Sequence, residues 1–133
     1  MKIILDANVI ISAILFPQSI ISNMVKHIIT NHELFICQYT IDEINEVFNK
    51  KFNGRIREMK LFLEKLPYEL FANKRINSKS YPKIRDINDL PVLANAIDSK
   101  VELLITGDKD FDEVKAKGLK IIKPKEYVEK YMV

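Results

Sequence analysis

Lys2-Ile3-Ile4-Leu5-Asp6-Ala7-Asn8-Val9-Ile10-Ile11 opens the chain and decides how the rest is read. A short apolar run ends in a carboxylate, and a second apolar run begins two residues later. As a buried strand leading straight into a helix, this stretch sets Asp6 at the carboxyl edge of a sheet. Open α/β sheets keep their ligand sites along that edge. Much further on, Leu103-Leu104-Ile105-Thr106 is another apolar strand, and it runs into Gly107-Asp108-Lys109-Asp110. If the two strands are parallel neighbours, their terminal carboxylates meet. Carboxylates that meet repel unless a cation or a proton lies between them.

Outward from these two strands, apolar spacing alternates between strand and helix. Helices are expected over 9–15, ended by Pro17, and over 19–30, where Ile20, Ile21, Met24, Val25 and Ile28 share a face. Leu34 to Cys37 reads as a strand. Thr40 and Glu43 stand at capping-box spacing, which predicts a helix starting at Thr40 and turning Ile44, Val47 and Phe48 inward. Gly54 separates it from a helix carrying Ile56, Met59, Phe62, Leu63 and Leu66. Glu69 to Ala72 reads as a short edge strand, and 73–86 as polar and irregular. Asn88 or Asp89 starts the next helix, with Pro91 in its first turn, where a missing N–H costs little. Strands at Glu102 to Thr106 and Leu119 to Ile122 follow, with a short helix near Phe111 to Lys115 and a turn at Gly118 between them. Pro124 opens a terminal helix. Strands alternating with helices predict an α/β fold whose parallel sheet is covered on both faces. Right-handed crossovers then gather all strand ends on one side.

The 133 residues, 47% of them hydrophobic, suffice for a core without disulfide staples, so one domain over 1–133 is expected. The single cysteine, Cys37, lies in an apolar run and reads as a small buried hydrophobe. No run approaches the roughly 20 apolar residues that span a bilayer, and no leader pattern is visible. A cytoplasmic location without membrane association is therefore expected. The net charge of +3 is unevenly spread. Lys74, Arg75, Lys79, Lys83 and Arg85 follow one another without an acid between them. Such a basic stretch beside acidic strand ends suggests a polyanion held near an acidic pocket. Taken alone, it is an ordinary solvated face.

Four acids stand at element boundaries: Asp6, Glu43, Asp89 and Asp108. Each has a plain structural alternative. Glu43 can complete a capping box, Asp89 or Asn88 can cap a helix, and Asp108 can form a turn. Asp6 is hardest to dismiss, because a carboxylate ending a buried strand is costly unless compensated. Together the four suit a hard cation such as Mg²⁺ or Mn²⁺. The two histidines, His27 and His32, lie away from them and read as packing or surface residues, which argues against zinc. A site of this kind can activate water for in-line attack on a phosphodiester, with lysines and arginines holding the nucleic acid backbone.

At these residues the chain resembles the PIN domain family of nucleases, which includes the VapC toxins of toxin–antitoxin pairs. The opening Leu5-Asp6-Ala7-Asn8-Val9-Ile10 is similar to the family's Asp-x-Asn start. Thr40-Ile41-Asp42-Glu43-Ile44 resembles its glutamate helix. Arg85-Asp86-Ile87-Asn88-Asp89-Leu90-Pro91 resembles its third acidic segment, and Thr106-Gly107-Asp108-Lys109-Asp110-Phe111 its fourth. The resemblance implies a three-layer α/β/α sandwich with a central parallel sheet, divalent-metal-dependent RNA cleavage, an antitoxin partner and a homodimer. It assigns Asp6, Glu43, Asp89 and Asp108 to catalysis and to Mg²⁺ or Mn²⁺. Asp86 is an alternative to Asp89, and Asp110 can share the metal with Asp108. Asn8 is expected to orient Asp6 by hydrogen bonding, Ser12 to face the site one helical turn on, and Thr106 to support it. The family's frequent threonine after the first aspartate is Ala7 here.

Two other readings use the same residues. A receiver-like domain phosphorylated on aspartate also needs acids at strand ends, but Asp6 has no acid beside it and the strand Leu34 to Cys37 leads into Gln38. A non-catalytic module that holds RNA or a partner keeps the fold without using the acids, and the intact acid set speaks against it.

Overall fold

The computed structural model describes residues 1–132. Strand β1 (Lys2–Leu5) lies at the centre, with Ile3, Ile4 and Leu5 fully buried. A run this apolar on both faces needs cover above and below, as a parallel sheet with helices on each side provides. Then come α1 (Ala7–Leu15), α2 (Ile20–Asn31), β2 (Glu33–Cys37), α3 (Gln38–Lys51), α4 (Ile56–Lys65) and β3 (Glu69–Phe71). After a long irregular segment follow α5 (Leu90–Asp98), β4 (Leu103–Ile105), β5 (Lys120–Ile122) and α6 (Pro124–Tyr131). The sheet has five strands in the order β3-β2-β1-β4-β5, all parallel.

Side-chain alternation divides the interior in two. Ile3, Leu5, Leu34, Ile36, Leu103 and Ile105 face a core completed by α1 to α4 and α6. Ile4, Cys37 and Leu104 face a smaller core completed by α5 and Phe111. This is the expected three-layer sandwich. The chain runs from β1 outward through β2 to β3, then returns to the other side of β1 for β4 and β5. The order therefore reverses between β1 and β4. Crevices at such switch points, beyond the carboxyl ends of the strands, are where these sheets receive ligands.

The structure corrects three local expectations. First, α1 begins at Ala7, directly after Asp6, which occupies the N-cap and accepts a hydrogen bond from the Ala7 N–H. Second, α3 begins at Gln38 rather than Thr40. Thr40 lies in its first turn, fully buried, and its hydroxyl makes no hydrogen bond. No capping box forms, and Glu43 belongs to the second turn. Burial of Cys37, Ile44 and Phe48 decides where this helix starts, and packing overrides the capping signal. Third, the helix expected at Phe111 to Lys115 is a single tight turn, Lys109–Phe111, nucleated by Asp108 accepting from the Asp110 N–H. Only Phe111 in that stretch is buried, so no apolar face exists to carry a helix further.

Other expectations match. Glu69–Phe71 is a short edge strand, and Gly118 has φ +83°, the left-handed region that glycine adopts freely. His27 packs, as expected: its Nδ1 lies 2.7 Å from the hydroxyl of the fully buried Tyr127, tying α6 to α2. An apolar cleft of about 430 Å³ remains between α2 and α4, lined by Val25, Ile29, Leu61 and Phe62. Among the described residues no single helix is long and apolar enough to cross a membrane.

Candidate metal centre

The pairing of β1 with β4 sets Leu5 opposite Ile105, so the next residues, Asp6 and Thr106, leave the sheet side by side. The Asp6 N–H donates to the Ile105 carbonyl at 3.1 Å. The Asp6 side chain is only 5% exposed, and both its oxygens are engaged. Oδ1 accepts from the Ala7 N–H at 2.8 Å, and Oδ2 accepts from the Thr106 hydroxyl at 2.7 Å. Thr106 Oγ1 in turn accepts from the Asp108 N–H at 3.0 Å. One threonine thus links the acids that end the two central strands. Such second-layer hydrogen bonds fix the orientation of a ligating carboxylate.

Asn8, expected to orient Asp6, does not do so. It is exposed, and its side chain makes no hydrogen bond to Asp6 among the described residues. Ser12 is half-buried one turn further along α1, on the same face as Asn8.

Electrostatics join all four predicted acids. Burial pushes the Asp6 carboxyl above its ordinary range; the Thr106 and Ala7 hydrogen bonds oppose this, and the charge of Asp108 adds to it. Glu43, half-buried on α3, is raised by burial and then by Asp6, Glu46, Asp108 and Asp86. Asp89 is pushed up to about 7, first by burial and then by Asp108, Asp6, Asp86 and Asp110. The four acids therefore lie at one edge, close enough to repel. The tightest grouping is not the predicted four, however. Asp86, Asp89 and Asp110 each offer an oxygen within 4.8 Å of the others, and among the described residues they are the one such trio. Asp110 is raised by desolvation and by Asp108, with Arg85 opposing from 3.6 Å.

The third acidic segment had left Asp86 and Asp89 as alternatives, and the structure brings both to the edge. Asp86 caps the turn Ile87–Asp89 by accepting from the Asn88 N–H at 3.0 Å. Asp89 precedes α5 without capping it, and its Oδ2 is buried with no hydrogen-bond partner. A buried, unpartnered carboxylate oxygen is expensive, and here it stands among like charges. The donors are all carboxylate oxygens, which fits a hard divalent cation of the Mg²⁺ or Mn²⁺ kind. Thr106, expected to support the site, does so as the link between Asp6 and Asp108, a specific role that depends on strand register and is not legible in the sequence. Nor does the sequence signal Arg85 as a counter-charge to Asp110.

Residues 2–110 match the family model described as the PIN domain. No curated protein matches the chain. Among solved structures, the chain is similar to one in the crystal structure of VapBC2 from Rickettsia felis bound to a DNA fragment from their promoter. That match has a TM-score of 0.70 at 19% identity and covers 92% of this chain and 98% of the other.

Proposed function

Since the chain belongs to the PIN domain family, whose members are generally nucleases, we propose that it is a divalent-metal-dependent endoribonuclease and the toxin half of a toxin–antitoxin pair. One observation carries the reading. A net-basic chain gathers Asp6, Glu43, Asp86, Asp89, Asp108 and Asp110 at its sheet's switch point, with one buried carboxylate oxygen left unpartnered. Folding uses single oxygens of Asp6, Asp86 and Asp108 as caps, but that use does not require the carboxylates to be brought together.

In this reading Asp6, Asp89 and Asp108 hold Mg²⁺ or Mn²⁺, Glu43 is a ligand or positions the attacking water, and Asp86 and Asp110 complete the anionic rim. The cation supplies Lewis acidity at the scissile phosphate and lowers the cost of deprotonating water. Thr106 keeps Asp6 turned toward the site by its hydrogen bond to Oδ2. Arg85 and the lysines of the basic segment hold phosphates of a single-stranded or looped RNA, whose backbone and bases are accessible.

An antitoxin would close the acidic pocket by placing an arginine or lysine among the carboxylates, where charge complementarity favours it. A homodimer belongs to the same proposal. Sedimentation of the purified chain, with and without the product of an adjacent small gene, reads out both states.

The decisive experiment is cleavage of single-stranded RNA by the purified chain with Mn²⁺ or Mg²⁺, with EDTA, and with the Asp6→Asn variant. Cleavage that needs the metal and disappears in Asp6→Asn, while the variant still melts cooperatively, is the expected result. Full metal-dependent activity in Asp6→Asn refutes the assignment, and a wild type that cuts nothing favours the non-catalytic module.

A further inference from the structure

The acid-free segment before α5 shapes a surface that the acidic edge does not account for. A cavity of about 500 Å³ is lined there by Tyr81, Ile84, Ile87 and Leu90 together with Lys79 and Lys83. A second cavity, of about 300 Å³, shares Lys83 and Ile84 with the first and continues past Arg85 to Asp110. Asp110 is one of the three carboxylates that lie within 4.8 Å of one another. The apolar pocket therefore adjoins, across Lys83 and Ile84, a second cavity that carries Arg85 and Lys109 and reaches the acidic edge at Asp110.

Resting on the ribonuclease reading above, we propose that this pocket receives one unstacked nucleobase of the substrate strand, while Lys79 and Lys83 hold the flanking phosphates. Two features favour a base over a bare anion, and a third supplies the hold on its phosphates. Ile87 is 61% exposed, an apolar side chain with no place in either core. The Tyr81 ring is fixed in advance, because its hydroxyl donates to Asp98, which also pairs with Lys74. A ring held before the ligand arrives loses little freedom on binding. Lys79 and Lys83 make no ion pair among the described residues, whereas Lys74 and Arg85 are engaged by Asp98 and Asp110. Apolar or aromatic surface for a base, with free cations for its backbone, is how single strands are held without reading the major groove.

The test uses single-stranded RNA oligomers in which one abasic nucleotide is walked along the strand, with Mn²⁺ present. Wild type is compared with Ile87→Ser, Tyr81→Ala and Tyr81→Phe, each checked by thermal melting. With wild type, an abasic nucleotide at one fixed distance from the cut raises KM about tenfold, the size of one base-stacking contact; Tyr81→Phe, which keeps the ring but loses the hydroxyl that fixes it, starts with a smaller rise on intact RNA and responds at the same position. Ile87→Ser and Tyr81→Ala start with the raised KM on intact RNA and are indifferent to the abasic position. Wild-type cleavage with the same KM for every abasic oligomer overturns the pocket and leaves the nuclease standing. Absence of any RNA cleavage overturns the nuclease reading and the pocket with it.

Discussion

Replacing Thr106 by Val deletes the hydroxyl that donates to Asp6 Oδ2 and accepts from the Asp108 N–H, while keeping the side chain's shape. Loss of such an orienting bond typically costs ten- to a hundredfold in metal affinity or activity. Cleavage rates across a Mn²⁺ titration should fall by about that factor in Thr106→Val and recover in Thr106→Ser; unchanged rates would remove Thr106 from the site. The acids around it were legible because each closes an apolar run or opens a helix, where burial of charge demands a reason. Thr106 was expected only to support the site and the orienting role was placed on Asn8, since sequence spacing cannot report which residue at the end of β4 stands beside Asp6. Asp89 allows a test without substrate. Its carboxyl, raised to about 7, binds a proton in the folded state at pH values where the unfolded chain has lost it. Its contribution to the metal-free fold is therefore fully present below the ordinary carboxylate range and is lost as pH rises through about 7. Asp89→Asn never takes the charge. In EDTA it should melt roughly 3 °C above wild type at pH 8, with the gap closing toward pH 5; a gap independent of pH would contradict the buried-charge account.

Helix α3 shows why element existence was easier to read than element boundaries. Its apolar face, with Ile44 and Phe48 fully buried, appears in the spacing. Its start does not, because the signal at Thr40 and Glu43 mimics a cap while the buried end of β2 forces the chain to turn earlier. The same limit explains the single turn at Lys109–Phe111, where one side-chain hydrogen bond from the Asp110 backbone to Asp108 replaces the expected helix. Strand order was legible only as a tendency. Alternating strands and helices imply parallel pairing, but the reversal between β1 and β4 comes from long-range packing. Since α3 carries Glu43 on one face and Phe48 on another, its packing also fixes the site. Phe48 sits 5.5 Å from the Phe52 ring, with no exposed surface. Phe48→Ala should cost about 3–5 kcal/mol in urea unfolding. The 62%-exposed Phe16 should tolerate Ala within about 0.5 kcal/mol. Equal costs at the two positions would mean that the core assignment is wrong.

Across the whole molecule, the acidic edge stores a cost that folding alone does not recover. Asp6, Glu43, Asp89 and Asp110 are all held above their ordinary range by burial and mutual repulsion, while the chain carries a net charge of +3. The basic residues do not neutralise the edge from within: among the described residues, Arg85 with Asp110 is the one ion pair to these acids, and it is 3.6 Å long. A cation that binds the folded edge and not the dispersed acids of the unfolded chain must therefore stabilise the fold by mass action. At a hundred times its dissociation constant that linkage amounts to about 2.7 kcal/mol. Mn²⁺ or Mg²⁺ at neutral pH should raise the melting temperature of wild type by several degrees, with the rise growing logarithmically in metal concentration. The rise should shrink as pH falls below about 7, because protons then compete for Asp89. Asp6→Asn should lose most of it, and a non-chelating salt at equal ionic strength should not reproduce it. Nonspecific screening would instead act equally on wild type and variant, so a metal-induced rise that survives in Asp6→Asn would show that the carboxylates at the switch point do not act as one site.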